Sequence, residues 1–272
     1  MQINGWEYYN HAAIPTTAPH ENPNVLPIED GSIWNIKGAL LARWTTEFDC
    51  GYETNWWYVI KRAPFEVEML DSKTKKHIRQ SLKKVRVSLI DMASYSDALS
   101  SIHNNACSRY PSYTGSLKSP SDFSFNRDRN VECWGAFSLN TGQLIGYMIC
   151  RRKNSYVETA SAKYDPQYLN LRASDAIHFT ILNYYLNQEG YSYISSGSRT
   201  INHVTNAQDY KISTFGFYKA YCKLHLKFNP KVEWFFRLLF PIRRILNAFD
   251  SIGLIHQINA VIKMDELVRE EK

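Results

Sequence analysis

The side chains best placed to do chemistry lie in one polar stretch, Ser198-Arg-Thr-Ile-Asn-His-Val-Thr-Asn206, directly after an expected strand over Tyr191–Ser195. In open α/β sheets the carboxyl end of a strand meets the ligand crevice. His203 is the candidate general base there, because an imidazole titrates near neutrality; the plainer alternative is a loop histidine that helps cap the next helix. Arg199 offers a planar guanidinium to a carboxylate or phosphate, or is a surface charge. Asn206 suits a helix N-cap, or recognition of a substrate amide. Tyr210, four residues on, projects from the same helical face. Together these groups are fitted to move a proton beside a polarised carbonyl.

Further candidates lie upstream. Trp56 and Trp57 face opposite sides of an expected strand, so one packs inward and the other is free to line a pocket. Trp57 and Lys61 are the candidate substrate contacts of that run. Seven Lys and Arg fall between Lys73 and Arg86, on a helix whose apolar positions are Ile78, Leu82 and Val85. That basic surface is either a solvated face or one that meets phosphate. His77 within it reads as solvated. His103, His178, His225 and His256 lack acidic or cysteine partners at ligand spacing, so no metal is expected.

The elements that must position these groups belong to a folded chain. It has 272 residues, with 32 Lys+Arg against 26 Asp+Glu, and 7 Trp, 18 Tyr and 13 Phe against 12 Gly and 10 Pro. Such a composition excludes disordered and collagen-like chains. No apolar run reaches the length of a membrane-spanning helix. Five cysteines without a CxxC pair argue against a disulfide framework, and a cytoplasmic setting is expected.

Residues 1–27, rich in proline, read as an extended segment without helix, and 32–44 as a helix from the spacing of its apolar residues. Strands are expected at Trp56–Ile60 and Val87–Ile90. Helices are expected at Ser72–Val85, with Ser72 as cap, and at Ser94–Tyr110. Residues 111–130 read as a loop or junction. Three strands, 132–139, 144–151 and 155–163, form a meander. A helix over 173–189, the strand 191–195, a helix from Asn206 and a strand over 220–228 complete an α/β domain with a mixed sheet.

That order, with Phe215-Gly216-Phe217 closing a helix before the last long strand, resembles the GNAT acyltransferase superfamily, and within it the FemAB-like branch. The resemblance is most specific from Tyr191 to Phe228, through Gly197-Ser-Arg199, His203, Asn206 and Tyr210-Lys211. It implies a mixed, mostly antiparallel sheet flanked by helices, in two tandem GNAT-like units. Residues 1–44 form an N-terminal segment, 45–130 a degenerate first unit, 131–230 the second, and 231–272 C-terminal helices.

It further implies an N-acyltransferase acting on an amine of a small molecule, amino sugar or cell-envelope precursor. His203, Asn206 and Tyr210 are its catalytic candidates, Tyr210 lying on the helix that often carries the GNAT tyrosine that protonates a leaving thiolate, but at a longer offset from Gly216 than is usual there. The family's phosphate loop corresponds to Leu171, Arg172, Ala173 and Ser174, here without glycine and followed by Asp175. Side chains hinder close approach of a pyrophosphate, so the donor stands open between acyl-coenzyme A and aminoacyl-tRNA, as some FemAB-like proteins use the latter. The other function class compatible with these residues is a catalytically inactive binding protein for a phosphorylated ligand or RNA.

Beyond the domain, Val232–Ile262 carries an apolar stripe interrupted by Pro241, with Arg237, Arg243 and Arg244 on the other side. It suits packing on the domain or on a second subunit. It also suits peripheral contact of 234–249 with the inner face of a membrane.

Overall fold

The computed structural model describes residues 2–109, 117–124, 128–201 and 206–271. The chain forms two compact units, one from Met1–Tyr58, Ser198–Thr205 and Lys219–Lys272, the other from Val59–Gly197 and Asn206–Tyr218.

The proline-rich start is not a plain extended segment. It forms β1 (Gln2–Ile3), β2 (Trp6–Tyr9) and β3 (Ala12–Pro15), followed by the one-turn helix α1 (Leu26–Glu29). The prolines fall at the strand end and beyond it, where no ladder N–H is needed. The helix expected over 32–44 is a 3-10 turn at Ser32–Asn35 and then strand β4 (Leu41–Thr46). Pairing with a strand distant in sequence overrides the local 3–4 spacing. β5 (Trp56–Arg62) follows, its last residues in the second unit.

Helix α2 (Ser72–Leu82) is capped by Asp71, not Ser72: its carboxylate accepts from Thr74 N at 2.9 Å. Then come β6 (Val85–Ile90), α3 (Ser96–Cys107) and the short α4 (Ser121–Ser124), which lies inside the expected loop. The meander is present as β7 (Val131–Ser138), β8 (Leu144–Arg152) and β9 (Tyr156–Tyr164). Helix α5 (Ala173–Leu182) passes into a π turn at Asn183–Gln188. β10 (Tyr193–Ser198), α6 (Ala207–Phe215) and β11 (Tyr218–Phe228) follow, then α7 (Pro230–Leu239), α8 (Arg243–Ala248) and α9 (Gly253–Glu270).

In the first unit the strand order is β1-β2-β3-β4-β11, antiparallel except for β3 with β4. β4 and β11 pair from Leu41↔Phe228 to Thr46↔Lys223, which brings the two ends of the chain together. Trp6, Ile33 and Ala42 form its core. In the second unit the order is β10-β9-β8-β7-β6, antiparallel except for β9 with β10. Leu99 and Ile102 of α3 pack on Phe137, Leu144 and Tyr147 of this sheet. Each unit is thus a mixed, mostly antiparallel sheet flanked by helices.

Candidate functional site

In the second unit β9 and β10 pair over three residues, Tyr193↔Tyr156 to Ser195↔Glu158, while β9 runs on to Tyr164. The cause is local. On its other side β9 carries a bulge, Cys150 pairing with Thr159 and Ile149 with Ser161, so Ala160 is the extra residue. A bulge bends its strand and raises its twist, and this one lies immediately after the last pair with β10. The strands part there.

Three side chains span the opening. Thr159 Oγ1 donates to Ser195 O at 3.1 Å, and Lys211 Nζ of α6 donates to Thr159 Oγ1 at 3.0 Å and to Ser196 Oγ at 2.7 Å. Lys211 is 8% exposed, and burial lowers its ammonium to about 8. A lysine in that condition holds a sizeable neutral fraction near physiological pH, able to accept a proton as well as donate one. Lys211 did not stand out in the sequence as a functional group. A usable signal was its i,i+4 spacing to Phe215, which places it on the helix face that is buried.

Beside it, Tyr210 donates its hydroxyl proton to Asp175 Oδ1, and its oxygen lies 3.3 Å from Ser174 Oγ. Burial and the Asp175 charge push the Tyr210 phenol well above its ordinary range. Asp175 is 4% exposed and its other oxygen lies 3.7 Å from Arg172 Nη1. The carboxylate that follows the 171–174 stretch is therefore turned inward, one oxygen bonded to Tyr210 and the other near Arg172. His178 completes the cluster, its Nδ1 2.7 Å from Ser174 O and its ring stacked on Phe215 at 5.1 Å. Burial, with the Lys211 charge in support, depresses this imidazole to about 3, so it is neutral.

The stretch 171–174 turns sharply into α5. Arg172 takes the left-handed conformation, φ 57° and ψ 43°, and its carbonyl accepts from Asp175 N at 3.0 Å to start α5. A glycine ordinarily supplies positive φ at such a turn; here Arg172 does. Its Nη1 also lies 3.2 Å from His77 Nδ1, so the basic α2 contributes to the same end of α5. Ala173 is buried and Leu171 half-buried.

Of the remaining candidates, His203 lies outside the described residues. Asn206 occupies the cap position of α6 and is exposed, with no side-chain cap bond. Lys61, in the second unit, lies over Phe65 at 6.0 Å, and burial lowers its ammonium. Arg199 and Trp57 do come together in the first unit. The guanidinium lies 4.6 Å from the indole centroid, and its Nη1 donates to Asn55 O at 2.6 Å. Lys219 Nζ is 4.3 Å from the same ring. The first unit also holds a pocket of about 100 Å³ walled by Trp44, Trp56 and Tyr58. Arg43 reaches into it, one N–H directed at Met264 Sδ at 3.5 Å and no carboxylate in contact among the described residues.

No protein-family model matches the chain, and no curated protein matches it in sequence. Solved structures match it in fold. FemX does so with a TM-score of 0.54 at 8% identity, over 72% of this chain and 74% of that one. L-PGS from Bacillus licheniformis gives 0.46 at 9% identity over 73% and 66%, and a GCN5-related N-acetyltransferase from Kribbella flavida 0.41 at 10% over 80% and 81%. At such identities the likeness is of fold alone. The chain has a GNAT-like, FemX-like fold.

Proposed function

We propose that the protein is an N-acyltransferase that carries an acyl or aminoacyl group to an amine of a small molecule, amino sugar or envelope precursor. The observation that carries this is the parting of β9 and β10 at Ser195, with Lys211 at its centre. A gap between parallel strands exposes backbone groups to an incoming donor, and a buried cation beside it stabilises charge on a carbonyl oxygen. The FemX-like fold supports the same class.

In this proposal the donor is acyl-coenzyme A or an aminoacyl-tRNA, whose phosphates meet the Leu171–Ser174 turn and the basic face of α2. Arg199 on Trp57 is the proposed contact for an anionic group of the acceptor. In this proposal His203 takes the proton of the attacking amine and returns it to the donor's leaving sulfur or oxygen as the tetrahedral intermediate collapses. Tyr210, its proton committed to Asp175, fixes α6 against α5.

One observation favours a non-catalytic ligand-binding protein instead: the Lys211 side chain itself occupies the gap. Thermal-shift measurements with coenzyme A, acetyl-coenzyme A, longer acyl donors and aminoacyl-tRNA separate the two. Stabilisation by a donor and acyl transfer that drops about 10²-fold in His203→Ala support the enzyme. Stabilisation by none of these donors rejects it.

A further inference from the structure

We infer that the C-terminal helices form a docking face for an anionic lipid surface, a property independent of the catalytic proposal. Twenty large apolar side chains are exposed among the described residues, and eight of them fall between Trp234 and Leu254. Trp234 is 61% exposed, Leu238 65%, Ile245 62% and Leu254 68%. Scattered exposed apolar residues are ordinary; a concentration of this kind marks an interaction surface.

These residues are not reserved for packing within the unit, because the inward faces of the same helices are already occupied. Phe236 of α7 is buried and stacks on Phe228 at 4.7 Å. Arg243 at the start of α8 pairs with Glu266 of α9 at 2.8 Å. Asn259 of α9 donates to Leu246 O at 3.1 Å and to Asp250 at 2.7 Å. The outward ridge is therefore held in place and left over.

Charge selects the occupant. Lys231, Arg237 and Arg244 are exposed along the ridge, Arg237 in a pair with Glu233 at 2.6 Å. Between Lys231 and Leu254 four basic residues, Lys231, Arg237, Arg243 and Arg244, stand against two acids, Glu233 and Asp250, so the ridge keeps a positive balance. Two copies set ridge to ridge would oppose like charges, whereas an anionic bilayer accepts arginines at headgroup level and aromatic and aliphatic side chains just below. α7 spans 10 residues and α8 only 6, and no helix among the described residues is long and apolar enough to cross a membrane. Contact along the surface is the geometry left.

The test is co-sedimentation of the full chain with phosphatidylcholine vesicles and with phosphatidylcholine–phosphatidylglycerol vesicles. The unaltered protein should pellet with the anionic vesicles, less so at high salt. L238D with I245D, both solvent-facing, should bind at least about tenfold more weakly while circular dichroism and the melting midpoint stay unchanged. R237E with R244E should lose the preference for phosphatidylglycerol. The inference fails if the unaltered protein stays in the supernatant with both vesicles, or if L238D/I245D binds as well as it does. It also fails if ultracentrifugation shows a dimer that the apolar pair of substitutions dissolves while vesicles capture neither protein.

Discussion

Lys211 Nζ lies 2.7 Å from Ser196 Oγ, and this one contact ties α6 to the strand that parts from β9. The amine is buried beside the gap without a carboxylate among its bonded partners, which is why its proton is loosely held.

The fold lowers Lys211 to about 8 from 10.5. The unfolded chain therefore binds the extra proton between those values, and stability rises with pH across that window. K211M should flatten this alkaline-side rise, on the order of a few kcal/mol in total, in urea melts from pH 7 to 10.5. Because it also removes a buried charge, K211M should be at least as stable at pH 7. If it transfers acyl groups at the unaltered rate, Lys211 has no part in the reaction.

His178 gives the opposite limb. Its folded value is about 3 against 6.5. The unfolded chain takes up a proton between these, so stability falls as pH drops from 6.5 toward 3. H178F should be less sensitive to acid over that range. Equal acid sensitivity in both proteins would mean that other groups set it.

Y210F leaves Asp175 Oδ1 without its phenolic donor and should cost about 1–3 kcal/mol. D175N should cost less in the Y210F background than alone, with a coupling of about 1 kcal/mol or more in a double-mutant cycle. Additive losses would show that the pair does not act as a unit.

Gly216 ends α6 at φ 65°, and a Cβ there would lie 3.4 Å from Lys61 Nζ. G216A should lose about 1 kcal/mol from the backbone alone. The flexible lysine can give way, so K61M should not restore the loss.

The meander of β7, β8 and β9 was legible because alternation and a turn sequence, Asn140-Thr-Gly-Gln143, are local signals. So were α2, α3 and α5. The sheet of the first unit was not. Leu40, Leu41 and Trp44 fall at a spacing that fits a helix, yet Leu41 and Trp44 are strand residues held by β11 from nearly two hundred positions away. The proline-rich start forms its strands by pairing within itself, β1 with β2 and β2 with β3, and by β3 lying against β4.

Arg199 and Tyr210 could be picked out by residue type and their place after a strand, Trp57 by its place in one, and the 171–174 stretch by the family resemblance. Which of them meet could not. By itself the sequence determined the class of fold in the second unit, through the order of its elements, and the basic face of α2 and the apolar C-terminal stripe, through periodicity within one element. Only tertiary structure decided that Asp175 is turned inward onto Tyr210, that Arg172 takes the turn usually left to glycine, and that Lys211 loses its water. Those outcomes depend on burial and on partners supplied by other elements, and a side chain's charge and proton affinity are set by that surrounding, not by its own identity.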